Sequence, residues 1–246
     1  MNLQRFSALL KVNLKKLIRQ PATLFLMLLF PAVLTLVFGL AFSDPASGMD
    51  FNVMVPGLFA YAVIFMIMTV AQSFSDERQG GLLKRLNVTP MTSGEFMGSH
   101  IISNMVTAVL QMAIVFVIAL PFGFTPQVGV GGMLFAFLMM SIFSLSSIGL
   151  GLITATIAKS PEAATGVSFI FILPQMFLGT FMNFSGAMEV AGRFVPSYYL
   201  TDAVERIFFG TPLTDVNIWI DFAILSITSF VIIIIGILLF KKYGKA

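Results

Sequence analysis

Six apolar runs, each roughly twenty residues long, dominate this chain, and none has a Lys, Arg, Asp, Glu or His near its middle. They cover residues 24–42, 56–74, 101–120, 132–157, 166–182 and 218–240. An apolar helix of that length rises ~1.5 Å per residue and matches a hydrocarbon core about 30 Å thick. Lipid offers no partner to a backbone N–H or C=O, so each run must satisfy its own hydrogen bonds as a helix. The expectation is an all-α membrane protein with six transmembrane helices. Composition agrees, with 58% hydrophobic residues, 10% charged residues and a mean hydropathy of +0.97. No polar linker or composition shift divides the chain, so residues 1–246 read as a single transmembrane domain. Pro174 falls inside the fifth run, where neighbouring helices can satisfy the carbonyl it frees.

Basic residues set the orientation. Twelve of the fourteen Lys and Arg residues fall before the first run, between the second and third, between the fourth and fifth, or after the sixth. Arg193 and Arg206 alone lie on the other side, together with most of the acids. That asymmetry places both termini in the cytoplasm and the chain in the cell's inner (plasma) membrane as a multi-pass protein. The first run is too long for the ~7–15-residue apolar core of a signal peptide and is retained as a span.

Outside the lipid, three segments carry a pattern. Leu3, Phe6, Leu10, Leu14, Leu17 and Ile18 share one helical face while Lys11, Lys15 and Arg19 share another, which predicts an N-terminal interfacial helix, with a disordered basic arm as the alternative. In the longest cytoplasmic loop, residues 75–100, Leu82, Leu83 and Leu86 form the apolar side of a short helix. Gly80 and Gly81 loosen its start and Pro90 stops it. Such a patch suits docking to a soluble partner, or packs back on the membrane helices as a plain connector. On the opposite side, Leu200, Ala203, Val204, Ile207 and Phe208 make an apolar stripe, with Asp202 and Arg206 spaced to pair at i and i+4. Short external helices between the fifth and sixth spans follow, a second one falling within residues 188–195.

The chemistry that is missing narrows function. There is no cysteine and one histidine, His100, too few partners for a metal site or a nucleophile–base pair. No Gly-x-x-x-x-Gly-Lys-Ser/Thr loop exists to bind ATP phosphates, so the chain itself is expected to hold no cofactor and to be no enzyme. The absence of an ionisable relay inside the spans argues against proton-coupled carriage, while sodium coupling through carbonyls and hydroxyls stays open. Asn104, Gln111, Thr154 and Gln175 could line a substrate route, against the competing role of ordinary interhelical hydrogen bonding. Ser147, Gly151 and Ala155 recur every fourth residue and would let the fourth span approach a neighbour closely.

Two motifs point to a family. Asp76-Glu77-Arg78, a glycine turn, a leucine-bearing helix and Thr89-Pro90 make the first. Ile172-Leu173-Pro174 through Phe177-Leu178-Gly179, followed by Pro196-Ser197-Tyr198-Tyr199-Leu200-Thr201-Asp202 and Arg206, makes the second. In this order, within six spans and with Pro31 in the first, the chain resembles the ABC-2 type permeases, the membrane subunits of one class of ABC exporters. The resemblance implies a separate ABC ATP-binding subunit in two copies, carrying ATP and Mg. It also implies a second permease chain, identical or related, and no nucleic acid. It makes the loop a cytoplasmic coupling helix, with Glu77, Arg78, Gly81, Leu82, Leu83, Leu86 and Pro90 as ATPase-coupling residues and the first two as polar anchors. Pro196, Tyr199, Asp202 and Arg206 become an external gate. Many relatives carry Gly-Thr-Leu-Glu where this chain has Gly81-Leu82-Leu83-Lys84, which reverses a commonly acidic position. The expected cargo is a hydrophobic or amphipathic small molecule such as a drug, antibiotic or lipid-like compound. The alternatives are a lipid-linked polysaccharide or, acting alone, an ATP-independent carrier or channel.

Overall fold

The computed structural model describes residues 3–19, 21–42, 50–81, 93–179 and 187–243. Among them there is no strand. Ten α-helices follow in order: α1 Leu3–Arg19, α2 Pro21–Phe42, α3 Phe51–Ile64, α4 Met66–Gln79, α5 Ser93–Ala119, α6 Val130–Ile157, α7 Pro161–Gly179, α8 Ala187–Gly192, α9 Pro196–Phe208 and α10 Val216–Tyr243. Five helical stretches are long and apolar enough to cross a bilayer: Phe51–Gln79, Gly94–Phe122, Val130–Ile157, Pro161–Gly179 and Val216–Tyr243. Within α2, Met27–Phe42 forms a shorter apolar segment. The chain is therefore a multi-pass helical membrane protein.

The helices overrun the boundaries that hydropathy predicts because polar caps, not lipid-matched residues, decide where they begin. Asp50 Oδ1 accepts from the N–H of Asn52 at 2.9 Å, so α3 starts well ahead of residue 56. The backbone ladder then runs through Phe65, whose N–H reaches Tyr61 O at 3.3 Å, and joins α3 to α4 in one rod. Ser160 Oγ accepts from Ala163 N–H at 3.2 Å and Pro161 takes the first helical position, which starts α7 before the expected residue 166. Asp215 Oδ1 plays the same role for α10, accepting from Asn217 N–H at 2.7 Å. Pro174 is carried inside α7 without ending it.

The α3–α4 rod is the hub: 72% of its apolar window is buried, against 22% for α10. Apolar side chains such as Val117, Ile170, Ile227, Phe230 and Leu238 instead face outward, where lipid or another membrane chain can cover them. Because lipid tails are as apolar as leucine, helices here gain most from close approach. Ser147, Gly151 and Ala155 are all buried, and a Cβ at Gly151 would sit 2.8 Å from Ile67 O of α4. A closer contact joins α6 to α10, where a Cβ at Gly236 would lie 2.5 Å from Gly149 O. The expected N-terminal helix forms as α1 and packs on α5, with Asn13 Nδ2 donating to Ser99 Oγ at 3.1 Å.

Candidate functional site

Polar side chains gather at the two ends of the bundle. The first gathering is where α4 ends, beside the start of α5. Gly80 N–H donates to Asp76 O at 2.8 Å, and Gly81 turns the chain away with φ +68, a left-handed conformation that glycine adopts without steric cost. One turn earlier, Arg78 reaches across to the end of α6. Its Nη1 donates to Ala155 O at 3.0 Å and its Nη2 to Ala158 O. A helix C-terminus has carbonyls without intrahelical partners and a partial negative charge, and the guanidinium answers both. Glu77 turns the other way. It is buried, and its Oε2 lies 3.5 Å from His100 Nε2 on α5. The imidazole is held between Phe74 and Phe96, with ring centroids 5.0 and 4.5 Å away.

Glu77 and Arg78, the polar anchors that the resemblance implies, engage α5 and α6 of their own chain and tie the foot of α4 to both. Leu82, Leu83, Lys84, Leu86 and Pro90 lie outside the described residues. Beside this joint, a cleft of about 490 Å³ opens between α4 and α7, lined by Gln72, Asp76, Pro161, Glu162 and Thr165. Gln72 Nε2 donates to Thr165 Oγ1 at 2.6 Å across it, and the two carboxylates give it a negative wall.

At the far end, α9 lies against α3, α6, α7 and α10. Pro196 opens it at the first position, and the predicted stripe of Leu200, Ala203, Val204, Ile207 and Phe208 is buried. Asp202 and Arg206 pair as their spacing predicts, Nη2 to Oδ2 at 3.0 Å. Tyr199 donates its hydroxyl to Arg193 O at 2.9 Å, closing the corner after α8. Sequence reasoning missed the joint to α7: Ser197 N–H donates to Gln175 Oε1 at 3.2 Å and Ser197 Oγ to Gln175 O at 2.8 Å. Gly179 leaves the room for it, since a Cβ there would overlap Ser197 Oγ. The glycine of the second motif was the available signal.

The four polar residues considered for a substrate route are spread over three helices. Asn104 Nδ2 donates to His100 O at 2.9 Å and Thr154 Oγ1 to Leu150 O at 2.9 Å, each within its own helix. Gln111 Nε2 reaches Met27 O on α2 at 3.1 Å, and Gln175 holds Ser197. Their observed engagements are local or interhelical hydrogen bonds. Among the described residues no group of His, Cys, Asp and Glu is arranged to hold a metal ion.

Comparison with known proteins bears on both ends. The family model for the ABC-2 type transporter matches residues 4–209. The chain is 22% identical over 188 residues to the daunorubicin resistance ABC transporter permease protein DrrB1 of Streptomyces coeruleorubidus, an alignment covering 75% of this chain and 66% of the relative. It is 26% identical over 171 residues to the probable multidrug ABC transporter permease YbhR of Escherichia coli K12, covering 67% of this chain and 45% of the relative. The chain thus spans slightly under two thirds of the first relative's length and under half of the second's. The range of the family match takes in the α4 joint and the whole of α9, on a multi-pass helical bundle: this chain belongs to the ABC-2 type transporter family.

Proposed function

We propose that this chain is the membrane permease of an ATP-driven exporter that moves hydrophobic or amphipathic small molecules outward. In this proposal α2 serves as the first of six spans, both termini are cytoplasmic, and the chain sits in the inner (plasma) membrane. The concentration of Lys and Arg on one side supports that orientation. Two copies of a separate ATP-binding subunit supply ATP and Mg, and a second permease chain, identical or related, completes the route. The names of the two relatives, one a daunorubicin resistance permease and one a probable multidrug permease, support the cargo class.

The observation that carries the proposal is the joint at Glu77 and Arg78, within the family match. Glu77, which faces α5, and Arg78, which grips the end of α6, lie just ahead of residues 82–92 in the sequence. A push on that loop by a closing ATPase is delivered to three spans at once. Leu82, Leu83 and Leu86 supply the apolar grip on the ATPase, Gly81 and Pro90 bound the segment, and Pro196, Tyr199, Asp202 and Arg206 belong to a gate at the far end.

Replacing Leu82, Leu83 and Leu86 together with alanine tests this. Membrane insertion should stay intact while ATP-dependent transport, measured in vesicles holding both subunits, falls at least about tenfold, equivalent to ~1.4 kcal/mol of lost coupling. Wild-type transport by that variant would remove the coupling role. Orientation is tested separately: the chain contains no cysteine, so Lys84→Cys gives a single thiol. It should react with membrane-impermeant reagents only in inverted vesicles, and labelling from the exterior of intact cells would reverse the topology.

A further inference from the structure

α1 meets the bundle with its apolar side and leaves a basic side open. Phe6, Leu10, Asn13 and Leu14 are half-buried, Asn13 Nδ2 donates to Ser99 Oγ at 3.1 Å, and a Cβ at Gly98 would lie 3.2 Å from Phe6 Cε2. Phe6 and Asn13 are ~10 Å apart along α1, yet they touch neighbouring residues of α5. α1 therefore crosses α5 instead of running beside it. The crossing lies about one turn inside the start of Gly94–Phe122, a stretch long and apolar enough to span a bilayer, so α1 lies along the membrane edge. α10 ends at the same depth. Ser99 precedes His100, whose ring centroid is 5.0 Å from that of Phe74, and Phe74 is 5.0 Å from Phe240, the residue before the exposed Lys241 and Lys242.

The open side is cationic. Lys11, Lys15 and Arg19 follow one another at four-residue intervals and form one row ~12 Å long. All three are exposed, and Val12 beside them is 61% exposed. α1 has no Asp or Glu, and among the described residues no carboxylate pairs with any of the three. An amphipathic helix is held at a membrane by apolar burial and by attraction to anionic lipid. Here α5 takes apolar surface that would otherwise enter the lipid, so the attraction carries more of the load. Phosphate oxygens accept from ammonium and guanidinium donors, and basic residues near an anionic leaflet are drawn to it within a Debye length. We infer that the outward side of α1 is a binding site for anionic phospholipid headgroups, with Lys11, Lys15 and Arg19 holding the phosphates. Lys241 and Lys242 extend the basic level to the foot of α10. Lipid fits this side better than an acidic protein surface does, because the row ends two residues before the chain enters the apolar α2 at Pro21. The site depends on the chain spanning a bilayer and not on the direction in which it does so, so its failure would leave the proposed transport untouched.

Native mass spectrometry of the full chain in detergent, with phosphatidylglycerol or phosphatidylcholine added at equal concentration, reads the site. The wild type should retain phosphatidylglycerol over phosphatidylcholine by at least about fivefold. Lys11→Gln, Lys15→Gln and Arg19→Gln together should bring the two lipids close to parity, whereas Lys11→Arg, Lys15→Arg and Arg19→Lys, which keep the charges, should preserve most of the preference. A second measurement needs no charge variant. A fluorophore on Val12→Cys, the single thiol in the chain, should be quenched several-fold more in nanodiscs by phosphatidylglycerol with a nitroxide at the top of its acyl chain than by phosphatidylcholine with the same group. Equal retention of the two lipids by the wild type, equal quenching at Val12, or loss of the preference in the charge-keeping set would overturn the inference. So would an undiminished preference in the glutamine variant, and weakened binding of the ATP-binding subunit beside it would assign this side to a protein. If the glutamine variant fails to fold, the Val12 label decides.

Discussion

Replacing Arg78 with Met is expected to abolish coupled transport while leaving the chain inserted in the membrane. Methionine keeps the apolar stem of the side chain but removes the donors that hold Ala155 and Ala158 of the α6 end. Hydrogen bonds from a charged donor contribute about 1.5–3 kcal/mol each, and the lower end applies here because Arg78 is only part-buried. Losing both leaves two C-terminal carbonyls without their partner and detaches the foot of α4 from α6. Under the proposed coupling, movement of the loop then no longer reaches α6. Melting of the purified chain should fall by a few degrees, and ATP-dependent transport should fall at least about tenfold. Arg78→Lys should be intermediate, since a single ammonium cannot span both carbonyls with the same fork. A lowered melting point with wild-type transport would confine Arg78 to stability and take it out of the coupling path.

The second large effect is expected at the crossing of α6 and α10. Gly236→Val places a branched side chain where a Cβ alone would be 2.5 Å from Gly149 O. Gly149→Leu meets Ile232 O at 2.8 Å from the other side. Overpacking typically costs about 1–3 kcal/mol when side chains can yield, but here the obstacle is backbone on both helices, so the helices must separate. Either variant should lose most of its monodisperse fraction by size-exclusion chromatography of the detergent-solubilised chain. Gly166→Ala is the control, because nothing lies within 4 Å of a Cβ at that exposed position on α7. Wild-type behaviour of Gly236→Val would mean that α6 and α10 do not approach as described.

Several features were legible in the residues because they are local. The buried face of α9 follows from the spacing of Leu200, Ala203, Val204, Ile207 and Phe208, and the Asp202–Arg206 pair from a four-residue offset on one helix. The amphipathic pattern of residues 3–18 predicts α1, though not that it would pack on α5. Helix ends were less legible. Hydropathy locates the lipid-matched middle, whereas Asp50, Ser160 and Asp215 start their helices through single hydrogen bonds that a windowed average does not register. The resemblance made Glu77 and Arg78 polar anchors of the coupling segment, and it said nothing of the contacts they make within the bundle. Both face inward because a helix end and a histidine stand within their reach.

Composition and spacing alone established an all-helical membrane chain, its long apolar helices and the amphipathic segments between them, because the hydrophobic match to a bilayer and the 3.6-residue helical period depend only on near neighbours in sequence. Tertiary structure decided every joint between helices. Arg78 finds carbonyls 77 and 80 residues away, Gln175 finds Ser197, and Gly149 meets Gly236. In a soluble protein, the alternation of polar and apolar residues hints at which face turns inward. In lipid that contrast disappears, so a glycine or an apolar side chain reads the same whether it faces the bilayer or a neighbouring helix, and only the packed fold tells them apart.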